Sequence, residues 1–186
     1  EVFASPIKIH KLVGGKIWKC DPSTIISDTP RYDTAKRIVH GRDYMLGYKA
    51  AAIQANVDYA FMKEAYSIYE KETPEIDAWH RWVATTVKTT GRLTTPVGRV
   101  RECFKACSAI THTGQLPDEI LRDLVSWEPQ CIVPDITNMA MLKLWNEFPD
   151  VRWHQQGHDS YLASGPPSLT EEFNEAAEIA ADIHYQ

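Results

Sequence analysis

The chain has 186 residues, 44% of them apolar and 24% charged, enough to bury one good core or two modest subdomains. A formal charge of −5 excludes a protein that coats nucleic acid through a general excess of cations. The longest apolar runs, at 50–53 and 139–142, are too short to span a bilayer, so the chain is expected to be soluble and intracellular (cytoplasmic), with no membrane partner.

Locally the charge is uneven. Basic residues gather at 36–42 and 92–105, while carboxylates gather at 70–77 and in the last twenty residues, which suits one phosphate-facing side. Cys20, Cys103, Cys107 and Cys131 show no paired CxxC spacing and read as reduced, mostly buried small apolar residues, with a metal pair at Cys103 and Cys107 the minor alternative. The chain opens on Glu1 and stops after a helical pattern, and it reads as part of something larger.

In chain order, Thr29-Pro30 marks a helix start, because Thr can cap and Pro is tolerated at the first helical position. A helix is expected over 32–46, ended by Gly47. One or two helices follow over 50–71. Thr73-Pro74-Glu75 opens another, carrying Ile76, Trp79, Trp82 and Val83 at helical spacing. Thr89-Thr90-Gly91 breaks it, and 93–100 favours extended structure, placing a domain boundary near residue 92. Helices are expected again over 118–125 and 130–148, with Pro134 near the first turn of the second or kinking it. Alternation over 151–164 around Gly157-His158-Asp159-Ser160 predicts two short strands and a tight turn. Ser168 and Glu171 form a capping-box pattern before a last acidic helix through Phe173, Ala177, Ile179 and Ile183.

Two features could carry chemistry. Residues four apart share a helix face, so Tyr32, Lys36, His40 and Tyr44 make one slowly winding stripe: a lysine able to take a terminal phosphate, then rings able to flank a sugar and a base. The competing reading is a solvated basic face. The second feature is Asp159 in the turn. An apolar strand leads into it, so its carboxylate is expected at the edge of a core, where oxygen ligands favour Mg²⁺ held by one or two carboxylates and substrate phosphates. Aspartate is also common in hairpin turns for conformational reasons alone.

The run from Tyr32 to Gly47 resembles the nucleotide-binding fingers helix of family A DNA polymerases, with Lys36, Gly41, Tyr44 and Gly47 at matching positions. Glu72-Thr73-Pro74-Glu75-Ile76 resembles the start of a later fingers helix, and Pro96-Val97-Gly98-Arg99-Val100-Arg101 the Gly-Arg stretch that returns to the palm. Gln130 opens a helix like the primer-template contact helix, and His158-Asp159 resembles the last catalytic motif, in the expected order. The resemblance runs from about Ile9-His10 to the final helix.

It implies an α+β, predominantly helical fold, with fingers-like helices over 1–92 and a partial palm over 93–186. It implies that Lys36 binds the triphosphate, that His40 lies beside the sugar and Tyr44 near the nascent base pair, and that Gln130 and His158 touch the primer-template end. Arg99 and Arg101 belong with DNA, and Asp159 with metal. Tyr32 stands where an arginine is usual, with Arg31 adjacent as its substitute for nucleotide binding; Ser160, Ser126 and Met45 are further departures.

The family's first metal-binding aspartate lies before the stretch that Ile9-His10 resembles. The implied activity is therefore DNA-directed DNA polymerase, using two Mg²⁺ ions, deoxynucleoside triphosphates and primer-template DNA. A second polypeptide or segment would carry the first aspartate, the thumb and the remaining palm. A naturally divided, phage-like enzyme and a cleaved or truncated fragment both fit. The alternatives are a non-catalytic polymerase-derived DNA-binding or scaffold subunit, and an ordinary helical protein in which the motifs are accidental.

Overall fold

The computed structural model describes residues 7–181, and Ile183 of the expected last helix lies outside them. The described residues form eight α-helices and four short strands, a predominantly helical α+β fold with two separate antiparallel hairpins. They cluster into two compact units that divide at Thr85/Thr86, within one helix.

In the first unit α1 (Ile9–Trp18) packs on α2 (Pro30–Asp43). The α1 sequence carries two consecutive glycines, poor helix formers, and shows no capping signal. Contact with its neighbours explains them. A Cβ on Gly14 would stand 3.1 Å from the Trp18 ring and 3.5 Å from Ala35 Cβ on α2, and one on Gly15 would stand 2.9 Å from the Cys20 carbonyl oxygen.

Helix α2 starts as its sequence indicates, with Thr29 Oγ1 accepting from the Tyr32 amide and Pro30 in the first turn. It ends earlier than expected. Tyr44 is its C-cap, Met45 takes a left-handed φ of 58°, and the Leu46 amide donates to the Gly41 carbonyl at 2.7 Å. Gly47, expected to end this helix, is the N-cap of α3 (Tyr48–Ala55). The expected helical region 50–71 resolves into α3 and α4 (Tyr59–Glu72), separated by left-handed Asn56 and the Asp58 cap, which accepts from the Ala60 and Phe61 amides. Val13, Ile38, Val39, Met62 and Tyr69 centre the core of this unit.

Helix α5 (Pro74–Thr90) begins at the expected proline and stops at Gly91, whose φ is +71°. In the second unit β1 (Arg92–Thr94) pairs with β2 (Val100–Glu102) across a turn containing Gly98 at φ +85°, so the extended stretch is a hairpin. Helix α6 (Phe104–Thr113) follows, ended by left-handed Gly114.

The two helices expected after residue 118 are one, α7 (Asp118–Glu147), running through Pro129 and Pro134. A proline inside a helix removes a hydrogen bond at a cost of about 3 kcal/mol, which is why the sequence reads as broken there. Buried residues on both sides, Leu124 and Val125 before and Ala140 and Leu144 after, hold the helix through. Gln130 therefore lies inside a helix and does not open one.

Strands β3 (Arg152–Gln156) and β4 (Tyr161–Ser164) form the expected hairpin, with an irregularity between Trp153 and Gln155. Helix α8 (Thr170–Ala181) starts two residues past Ser168, which sits in a 3-10 turn over Pro167–Leu169 and not at the helix cap. Leu144, Phe148, Val151 and Ala180 pack with Trp153 and Phe173 to form this unit's core. Leu144 is fully buried. Leu144→Ala is expected to lower unfolding free energy by about 2–5 kcal/mol through lost contacts and an unfilled cavity, read as a lower denaturant midpoint with unchanged slope.

Candidate functional site

The first unit gathers a cluster that sequence reasoning found only in part. Lys36 and His40 lie one turn apart on α2, as expected, and α1 brings His10 against them. The His10 ring meets the His40 ring at 5.1 Å between centroids and the Tyr32 ring at 5.7 Å, both edge to face. His10 Nδ1 is buried without a hydrogen-bond partner in the structure. Burial, then the neighbouring His40, Lys36 and Lys8, push His10 down to about 4. Burial also lowers His40, reinforced by Lys36 and opposed by Asp43. Around neutral pH the free protein thus presents two uncharged imidazoles beside an exposed lysine.

His10 was missed as a site residue because α1 was not expected as a helix. The signal available was its place in Ile9-His10, where the resemblance begins. Arg31, the expected substitute for the arginine, lies over the Trp18 ring at 5.8 Å, a cation–π contact on the α1 side of the helix start. Tyr44 leaves the stripe: with α2 ending at Asp43, its ring is carried by the turn that follows.

In the second unit His158 and Asp159 occupy the two-residue turn of the β3–β4 hairpin, closed by the Gly157 amide donating to the Ser160 carbonyl at 2.6 Å. Thr137 Oγ1 on α7 reaches the His158 carbonyl at 3.4 Å. The expectation that Asp159 sits at a core edge is corrected in part. Asp159 is exposed, because β3 presents Gln155 and Gln156 to solvent before the turn; yet it borders an open cleft of about 510 Å³ whose other walls include Val133, Ile136 and Ala140 of α7. No group of three or more His, Cys, Asp or Glu is placed to hold a metal ion among the described residues.

The expected DNA-contacting arginines are already paired. Arg99 makes a two-pronged ion pair with Asp135, Nε donating at 3.1 Å and Nη2 donating to the other carboxylate oxygen. Arg101 Nη2 donates to the Asp123 carboxylate. Both carboxylates are on α7, so these pairs tie the β1–β2 hairpin to that helix. Gln130 is exposed on α7 between the two carboxylates in sequence. No helix among the described residues is long and apolar enough to cross a membrane.

No family model matches the chain, and no curated protein matches it in sequence. Among solved structures it resembles the POL domain of Pol1 from M. smegmatis, determined in complex with DNA primer-template and dNTP, with a TM-score of 0.77 at 17% identity. The match covers 94% of this chain and 30% of that one. The fold is that of part of a DNA polymerase domain.

The histidine shifts have a direct consequence. Unfolded histidines bind protons near pH 6.5, whereas folded His10 resists protonation until about 4. Stability is therefore complete above about 6.5 and falls as pH drops through that window, because the unfolded state binds the proton first. Denaturant midpoints compared at pH 7 and pH 5 should show this fall, and His10→Gln should reduce it.

Proposed function

We propose that this chain is the fingers and partial palm of a family A-like, template-directed DNA polymerase, a nucleotidyltransferase acting on a primer 3′-hydroxyl. The observation that carries the reading is the fold likeness to a polymerase domain over 94% of the chain. The His10–Lys36–His40 cluster supports it independently. Lysine is a point charge suited to a terminal phosphate. An incoming triphosphate would also favour the charged imidazoles, so its binding would take up protons and strengthen as pH falls toward 5. Arg31 and Tyr44 belong to the same nucleotide site in this reading, and Arg99, Arg101, Gln130 and His158 to the DNA surface.

Polymerase chemistry of this class uses two divalent metal ions, Mg²⁺ here, to activate the attacking hydroxyl and neutralise the leaving phosphates. Asp159 is one exposed carboxylate, and the described residues do not by themselves make a complete metal site. The chain's own part is to bind and orient. Lys36 and the imidazoles hold the phosphate end, Tyr44 borders the base, and Asp159 contributes one carboxylate to a centre whose partner carboxylate comes from another segment or polypeptide. Positioning of this kind supplies much of the rate in phosphoryl transfer.

A second reading, a non-catalytic DNA-binding or scaffold subunit of a replication complex, is favoured by the ion pairs that occupy Arg99 and Arg101 and by the single carboxylate in the turn. Primer extension by the assembled protein, with Mg²⁺, nucleotides and primer-template, separates the two. Lys36→Ala should lower kcat/KM for the nucleotide by about 10²–10³, and Asp159→Ala should abolish extension. Template binding with no extension in any pairing would leave the scaffold reading standing.

A further inference from the structure

The end of α2 is held by charged side chains with no part in forming the helix. Asp43 is its last residue, and a carboxylate there faces the negative end of the helix dipole. Burial raises its pKa above the usual carboxylate range, opposed by a hydrogen bond from Tyr69 and by His40, His80 and Arg42. An apolar residue would occupy this place at lower cost. What the carboxylate provides is direction. Tyr69 Oη, on fully buried Tyr69 of α4, donates to Asp43 Oδ1 at 2.6 Å.

The neighbouring contacts act on the same turn. His80 Nε2 of α5 lies 2.7 Å from the Asp43 carbonyl oxygen. A carbonyl can only accept, so Nε2 carries the proton, and this bond satisfies a carbonyl that the ended helix leaves without an amide partner. Arg42 Nε donates to Glu70 on α4 at 2.7 Å, and Arg42 Nη2 donates to Asp77 on α5 at 2.5 Å. Two consecutive residues of α2 are thus each tied to both α4 and α5. Immediately beyond them the chain turns through Tyr44 and left-handed Met45.

We propose that Arg42, Asp43, Tyr69 and His80 form a positioning network that fixes where α2 ends and thereby aims Tyr44 at the nucleoside end of the nucleotide site, leaving the phosphate end to Lys36 and the histidines. This rests on the nucleotide-binding reading of α2. None of the four touches nucleotide; each acts through the backbone that carries Tyr44.

The test measures binding of two probes to the full chain with Mg²⁺, a deoxynucleoside triphosphate and inorganic tripolyphosphate. Asp43→Ala and Tyr69→Phe should each weaken nucleotide binding about tenfold and leave tripolyphosphate unchanged. Asp43→Asn, which keeps an acceptor for Tyr69, should bind nucleotide like the wild type. In a Tyr44→Ala background, Asp43→Ala should add no further loss. If Asp43→Ala does not fold, Tyr69→Phe, which conserves the packed ring, carries the same comparison. Equal losses for both probes, no loss for either, or an undiminished effect of Asp43→Ala without Tyr44 overturns the network while the nucleotide reading stands. A wild-type chain that binds neither probe overturns the reading itself, and the network with it.

Discussion

How closely α1 can lie against α2 decides what chemistry the first unit can present. A Cβ added at Gly14 would crowd the Trp18 ring of the same helix at 3.1 Å and meet Ala35 of α2 at ordinary contact distance, and the packing of α1 on α2 seats His10 on His40 and Tyr32. Without it, α2 would carry a lysine and a histidine on an ordinary solvated face. With it, His10 is half-buried and held edge-on to the ring of exposed His40, which shares a helix face with Lys36. The packing and the electrostatics are one feature, because the contacts that half-bury His10 also lower its pKa.

Element starts were the most legible part of the sequence. Thr29-Pro30 and Thr73-Pro74 announce helices through groups that act locally, above all a proline ring with φ preset, and both helices begin there; the Thr29 hydroxyl accepts from the new helix, whereas the Thr73 hydroxyl donates back to the Tyr69 carbonyl. The hairpin around His158-Asp159 was legible for the same reason, since its alternation and turn residues are local. What was not legible depended on tertiary contact. Helix α1 needs neighbours to make its glycines tolerable, and α7 needs burial at both ends to run through two prolines. The end of α2 is set by His80 and Tyr69, about 26–37 residues away in sequence, and no local signal at Asp43 or Tyr44 reports them. Local propensity is a weak prior wherever packing votes the other way.

The candidate site followed the same division. Lys36 and His40 were found because helical spacing alone makes them neighbours, whereas His10 joins them only through packing. Arg99 and Arg101 looked available for DNA because sequence shows their charge and not their partners. Asp123 and Asp135 lie 22 and 36 residues further along, on a helix whose continuity the sequence concealed. One partner of each pair is well covered, Asp135 in one and Arg101 in the other, and the Arg99 pair is two-pronged, so both guanidinium groups are held on α7 by the folded chain itself.

The cations of the chain thus fall into two classes, and the distinction bears on function more than the net charge of −5 does. Arg42, Arg99 and Arg101 each face a carboxylate at hydrogen-bonding distance. Lys36 has no carboxylate partner among the described residues, and its charge helps to keep His10 and His40 neutral. The neutral imidazoles add no charge of their own, so the face carries the single positive charge of exposed Lys36. Asp43 favours the charged form of His40, at the far end of the helix, and its carboxylate is already engaged with Tyr69. The acidic balance of the whole chain therefore coexists with an exposed lysine on the helix face where a triphosphate is proposed to bind.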